Sequence, residues 1–428
     1  MKKRFVLTAP FMFLIILLFP LLSANRLESS PKVQPIATAS IEVVSNQEEL
    51  LIAEIYKSRL AKAIENYFNK AIAKKKIIGA SVGIVKCEST IYLGGFGNRN
   101  AAKKDTIDEE TIFRIGSLSK GFAGILTGIH VQDGLINWDD KIVDHIPSFR
   151  MRSKKGTATV SLANILSQSS GLPRHSFTNL VEDGQSLGTI ASKFNEIRTI
   201  GKPGTIYSYQ NAAFALSGEI IERVTGQSLG EVMQDRIFDP LDMTTASTNY
   251  EALASAKNVA QPHRKRYGRW RSIPLNKKYY NAIAAGGVNA SAKDMSKWMR
   301  FLLGHNQDVL ESATLTDVFS PKINIGGRCY YKKWKGHKKS SYAMGWRIHE
   351  FTNPVTKESN TIIHHGGTVN NYRSEIAIYP KDDLGITVLF NSPTKVARNV
   401  IPDLRKIVDK IMNMPLEELE EEQPALIL

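Results

Sequence analysis

The chain has 428 residues, 42% hydrophobic and 23% charged, with a net charge of +15 from 56 Lys and Arg against 41 Asp and Glu. That balance excludes collagen-like, low-complexity and wholly disordered proteins and leaves room for a large core. Two cysteines, Cys87 and Cys329, are too few for a disulfide scaffold, and no Cys-x-x-Cys or Cys/His cluster suggests structural zinc.

The N-terminus reads as an export segment. Lys2, Lys3 and Arg4 precede an uncharged run from Phe5 to Leu22, followed by Ser23 and Ala24. Bulky Leu22 sits poorly before a cut after Ala24, and the run approaches the roughly 20 residues that span a bilayer, so residues 1–24 are either a cleaved signal or a retained anchor. Residues 25–46, rich in Ser, Pro and Ala, read as a flexible tether. The globular domain is expected over 47–413, and 414–428 as an acidic, solvated tail containing Glu417, Glu418 and Glu420 to Glu422.

From Glu48 to Ala73 apolar residues recur at helical spacing, and Ala80–Val85 and Ile91–Gly95 then read as a hairpin. Helical patterns dominate Phe113 to Gly304, starting after Ser117, Ser161, Asn211, Ser228 and Ser291. Strands return at Ala343–Phe351, Thr361–His365, Ser374–Tyr379 and Ile386–Asn391, before a last helix from about Val396 to Met412. Strands at both ends suggest one sheet built from both termini, with a helical lobe inserted.

Three patterns carry chemistry. Ser117-Leu118-Ser119-Lys120 opens a helix, so the lysine amine can reach the serine hydroxyl and, once desolvated, help remove its proton. Gly121, Gly124 and Gly128 on that helix admit a close neighbour that would bury Lys120 and favour its neutral form. Ser-x-x-Lys recurs at Ser29 and Ser392, and a serine here also suits a plain helix cap.

Tyr209-Gln210-Asn211 lies between the turn Lys202-Pro203-Gly204 and a helix. Its phenol could share protons with Lys120, and its amide could hold a substrate carbonyl. Tyr279 to Asn281 repeats the spacing without the turn-then-helix setting.

His364-His365-Gly366-Gly367 closes an apolar strand. Alternation puts the two histidines on opposite faces, so one is expected to line a cleft, while the glycines let substrate backbone approach. Adjacent strand histidines diverge and no third ligand lies at helical spacing, which argues against a metal pair.

In this order the three patterns resemble the serine β-lactamase and penicillin-binding-protein superfamily, in the branch around class C β-lactamases, D-alanyl-D-alanine carboxypeptidases and related esterases. Supporting stretches are Phe113-Arg114-Ile115-Gly116, Ile165 to Pro173, Ala285-Gly286-Gly287 with Asp294-Met295, and Tyr379-Pro380. The resemblance implies an α/β (α+β) transpeptidase-like fold with an antiparallel sheet flanked by helices. It implies Ser117 as the acylated nucleophile, Lys120 and Tyr209 as the proton-transfer pair, and Asn211, His364 and Gly366 as substrate-binding residues. The backbone N–H groups of Ser117 and Gly367 would form the oxyanion hole. No metal or organic cofactor is implied. His364 would replace the lysine of the Lys-Thr-Gly form, which favours peptidases and esterases over β-lactamases.

The expected substrate is a small peptide, β-lactam or ester, with a D,D-peptidase of the cell envelope, acting on peptidoglycan, ahead of a β-lactamase, then an esterase. The reading outside enzymes is a non-catalytic envelope-binding protein. The basic runs Lys332–Lys339 and His263–Arg266 could suit nucleic acid. An export segment removes that partner, and short charge runs usually form solvated loops.

Overall fold

The computed structural model describes residues 37–352, 357–415 and 418, with side chains from Leu50 onward. The export segment, most of the tether and most of the acidic tail lie outside the described residues. The chain divides after Ile52 into a short N-terminal unit and a large unit from Ala53 onward. Helix α1 spans Ala37–Ala73, so part of the stretch read as tether is helical.

Eight strands form one antiparallel sheet: β1 (Gly79–Lys86), β2 (Ser89–Gly97), β3 (Ile323–Asn324), β4 (His337–Tyr342), β5 (Arg347–Thr352), β6 (Ser359–Val369), β7 (Tyr372–Tyr379) and β8 (Leu384–Phe390). Their spatial order is β2-β1-β8-β7-β6-β5-β4-β3. The N-terminal hairpin therefore pairs with the last strand, Val82 lying opposite Val388, and both chain ends build one sheet as expected.

Both faces of the central strands are covered, which is why Leu384–Phe390 reads as a continuous buried run rather than an alternating one. Ala377, Tyr379, Ile386 and Val388 pack with Leu60, Ile64 and Phe68 of α1 and with Ile401, Leu404 and Val408 of the C-terminal helix. Ile376, Ile378 and Leu389 face the opposite way, into a core shared with the inserted helical lobe. The lobe's principal helices are α2 (Ser119–Gln132), α3 (Asn211–Thr225) and α4 (Ala292–Leu302), and the C-terminal helix is α5 (Val400–Met412).

Three expected elements are corrected. The strand expected over Ala343–Phe351 is interrupted, because Ala343 to Trp346 forms the turn joining β4 to β5. Residues 337–339 of the basic run belong to β4, and His263–Arg266 pairs with Arg269–Ser272 in a hairpin, so neither basic run is wholly loop. The third-motif strand does not end at the histidines, since β6 continues through both glycines to Val369. Cys87 and Cys329 are both free.

Candidate active site

Ser117 lies in a single 3₁₀ turn, Gly116–Leu118, that leads directly into α2. Gly116 has φ of +56°, and a Cβ there would fall 2.9 Å from the Thr368 amide nitrogen, so this turn can sit against β6 only without a side chain. Two serines hold it: Ser374 Oγ of β7 donates to the Ile115 carbonyl at 2.6 Å, and Ser119 Oγ donates to the Gly116 carbonyl at 2.7 Å. Neither was legible in the sequence, because each acts through backbone atoms.

Lys120 is completely buried. The α2 glycines cause this: a Cβ at Gly121 would lie 2.3 Å from the Trp346 ring, and one at Gly124 would lie 2.1 Å from the Met344 carbonyl oxygen. The β4–β5 turn is thereby seated directly on the helix. Lys120 Nζ approaches Asn211 Oδ1 at 2.8 Å, the Ala285 carbonyl at 2.7 Å and Ser117 Oγ at 3.3 Å. Burial, and secondarily the charge of Arg347, holds its pKa well below the ordinary lysine value.

Tyr209 lines the same cleft as Ser117 and is itself buried. Lys120 Nζ lies 5.0 Å from the centre of the Tyr209 ring. Burial raises the phenol's pKa, against opposing effects of Arg347 and Ser117. The Tyr-x-Asn loop is clamped by the Ile165–Pro173 stretch: Gln168 Oε1 accepts from the Gln210 N–H at 2.6 Å, and its carbonyl accepts from the Ser208 N–H at 2.8 Å. Asn211 Nδ2 donates to Tyr279 Oη at 3.0 Å. The second Tyr-x-Asn pattern thus supplies a support for the first, while Asn281 turns away to the Gln185 carbonyl.

The third motif contains His-x-Gly twice, at 364–366 and at 365–367, and the structure distinguishes them. His364, expected to bind substrate, is buried on the side of Glu375: its Nε2 lies 2.8 Å from Glu375 Oε2 and its Nδ1 lies 3.1 Å from His349 Nε2. His365 faces the other way, with Nε2 2.9 Å from Tyr342 Oη and its ring 6.4 Å from that of Tyr209. The expected alternation is present, but the histidine turned toward Tyr209 is His365, not His364. The overlap of two His-x-Gly readings was the available signal, and sheet register decides between them.

Gly367 shares the His365 side. A Cβ there would fall 2.1 Å from the Ile115 carbonyl oxygen and 3.1 Å from the Ser117 amide nitrogen, so its backbone lies directly beside the candidate nucleophile. Pairing of β6 with β5 ends at His364 opposite Arg347, whereas pairing with β7 continues to Val369. From His365 onward β6 has no strand partner on the β5 side, and this stretch runs beside Ser117.

Ser117, Tyr209, Asn211 and Gly366 line a cleft of about 1330 Å³. Its rim is strongly basic: Arg174, Lys333, Arg347, Arg373 and Arg398 line it, and the acidic lining among the described residues is Glu182. Arg347 was not singled out by sequence reasoning. Its Nε and Nη1 are buried with no hydrogen-bond partner among the described residues, and its guanidinium lies 5.5 Å from the centre of the Tyr331 ring. Arg373 is held differently, in an ion pair with buried Glu375 that also receives the Tyr330 hydroxyl at 2.9 Å.

Comparison with known proteins identifies the family and the fold. The family model described as Beta-lactamase matches residues 64–410. "Protein flp" of Staphylococcus aureus (strain NCTC 8325 / PS 47) is 27% identical over 357 residues, covering 80% of this chain and 65% of that protein. "Unguisins hydrolase ungD'" of Aspergillus campestris is 26% identical, covering 76% of this chain and 60% of its own length. The chain thus spans less than two thirds of these relatives. Among solved structures, the octameric penicillin-binding protein homologue from Pyrococcus abyssi shares the fold, with a TM-score of 0.69 at 24% identity over 81% of this chain and 77% of that one. With the family matched over most of its length and the fold shared, the chain belongs to the Beta-lactamase family, within the serine β-lactamase and penicillin-binding-protein superfamily.

Proposed function

We propose that this protein is a serine acyl-transfer hydrolase whose substrate carries a carboxylate near the scissile amide or ester bond, as a peptide ending in D-alanyl-D-alanine does. The observation that carries the reaction type is the set of contacts around Lys120. Asn211 Oδ1 and the Ala285 carbonyl can only accept hydrogen bonds, so they take the two N–H groups of a neutral amine and leave its lone pair facing Ser117 Oγ.

Ser117 Oγ attacks the carbonyl carbon as its proton passes to Lys120, and the Ser117 and Gly367 N–H groups receive the oxyanion. Tyr209, protonated at neutral pH, supplies the proton to the departing amine or alkoxide. Water then attacks the acyl-enzyme with the same groups acting in reverse, releasing the acid and regenerating Ser117. Asn211 orients the acyl portion and His365 supports Tyr209 through the ring contact they share.

The D,D-peptidase reading over the β-lactamase reading is supported by a histidine at the third motif and by the unpartnered guanidinium edge of Arg347, which suits a terminal carboxylate. The export-like start of the sequence supports a cell-envelope location, with peptidoglycan as the source of such peptides. The test is intact-mass measurement after incubation with benzylpenicillin, followed by peptide mapping, beside release of D-alanine from a D-alanyl-D-alanine peptide. An adduct on Ser117 that persists for minutes, together with D-alanine release, is expected. Labelling elsewhere, or none with either substrate or a short-chain ester, would sink the reading.

A further inference from the structure

A second groove of about 710 Å³ is carved between the end of α1, the His263–Ser272 hairpin and the segment leading into α5. Its charged lining is Lys70, Lys74, Lys76, Lys265 and Lys395, opposed by Asp403. Asp403 is engaged, since Oδ2 accepts the Tyr67 hydroxyl at 2.8 Å. All five lysines are exposed. None has an ion pair with a carboxylate among the described residues, whereas lysines elsewhere on the surface, such as Lys277 and Lys293, do. Like charges gathered without counter-charges repel one another, and an external anion relieves that repulsion.

Two further features distinguish the groove from an ordinary solvated patch. Trp270 lines it, and its indole Nε1–H is buried with no hydrogen-bond partner among the described residues, a donor that a ligand oxygen would satisfy. Lys395 and Asn399 line both this groove and the Ser117 cleft, so one basic track joins them. A track of that form fits a linear ligand bearing repeated charge better than a single small anion. It offers no row of aromatic faces for stacked bases. Trp270, whose ring centre lies 5.0 Å from Lys265 Nζ, and Tyr67 are its aromatic lining.

We propose that this groove docks a linear polyanion carrying repeated phosphate charges and no bases, holding the enzyme on a polymer whose neighbouring acyl groups enter the cleft. The lysines act as point charges along the chain, and Trp270 Nε1–H donates to one of its oxygens. Binding weakens as salt rises, because exposed charges are screened within about 10 Å at 0.1 M. The link to catalysis rests on the acyl-hydrolase reading; the binding does not.

The experiment measures binding of fluorescently labelled inorganic polyphosphate to the full chain at fixed ionic strength. Reversing two groove charges in a Lys74→Glu/Lys265→Glu variant is expected to weaken binding about tenfold or more. Lys155→Glu, an exposed charge outside both pockets, is expected to leave it unchanged. Trp270→Phe, which keeps a ring and removes the donor, is expected to cost about threefold. Ser117→Ala protein is expected to bind as the wild type does, so loss of hydrolysis with intact binding separates the two readings. The proposal is overturned if the wild type does not bind, if Lys155→Glu weakens binding as much as the groove variant, or if Trp270→Phe has no effect. Tighter binding of polyglutamate or of a single-stranded oligonucleotide of equal charge would overturn it too.

Discussion

Lys120 Nζ stands 3.3 Å from Ser117 Oγ, and its two shorter contacts, to Asn211 Oδ1 and the Ala285 carbonyl, are to atoms that only accept. A lysine so placed serves a proton transfer only when neutral, and burial drives it that way. Lys120→Arg, which introduces a group that stays protonated, should therefore lower kcat by about a thousandfold, within the usual range for loss of a general base. Steady-state hydrolysis of a short-chain ester measures this, and near-native turnover would contradict the assignment.

Lys120 and Tyr209 together set the expected pH profile. Activity should rise with pH as Lys120 loses its proton, through a limb well below the ordinary lysine value, and fall only where Tyr209, raised above 10.0, ionises. Arg347 contributes to the low lysine value, so Arg347→Met should move the acidic limb to higher pH. Profiles of kcat/KM for a neutral ester isolate this effect from loss of a carboxylate contact. An unshifted limb would show that Arg347 does not act on Lys120.

His364 and His365 make separable predictions. His365→Gln, next to Tyr209, should reduce kcat about tenfold or more with little change in thermal stability. His364→Gln should act mainly on stability, since its contacts are Glu375 and His349. Calorimetry and ester kinetics on both variants decide it, and the reverse pattern would restore His364 as the substrate-side residue.

Glu375 is fully buried. Burial alone would raise its pKa, but Arg373, His364 and Tyr330 outweigh burial and hold the carboxyl below its usual range. A carboxylate depressed in the fold stabilises fully above its unfolded value, about 4.3, and that contribution is lost as pH falls through the lower folded value. Glu375→Gln should thus cost about 3 kcal/mol at pH 7 by stranding Arg373, with the gap from wild type narrowing as the medium is acidified past the carboxylate range. Urea titrations at neutral and acidic pH measure the gap, and a constant difference would count against the ion pair as its source.

Gly124 tests the seating of α2. A Cβ there meets the Met344 carbonyl at 2.1 Å, a backbone atom that cannot rotate aside. Gly124→Ala should destabilise by about 2 kcal/mol and lower kcat, because the β4–β5 turn that buries Lys120 must shift. Chemical denaturation and ester turnover on one preparation would show both effects together.

The sequence by itself determined the sheet built from both ends, the inserted lobe, and the neighbourhood of Ser117, Lys120, Tyr209 and Asn211. The sheet, the lobe and the Ser117–Lys120 pair rest on local physics: strand runs, helix starts, and a Ser-x-x-Lys spacing that places two side chains on one helical face. Tyr209 and Asn211 joined them only through the resemblance of the ordered motifs to a known family. The stretches Ile165–Pro173 and Ala285–Gly287 were legible as patterns, but their work was not. They act through a Gln168 side chain bound to a backbone N–H and through the Ala285 carbonyl, and a contact with a backbone atom on one side leaves no pair of residue types to read. Tertiary structure decided the rest. Register alone turned His365 rather than His364 toward Tyr209, because a one-residue step along a strand reverses the face. Arg347 lines the cleft from the last β5–β6 pair, opposite His364, a long-range pairing that no local pattern encodes. The positive charge, evident in the composition as a bare total, gathers along one groove only when α1, the hairpin and the segment leading into α5 are brought together.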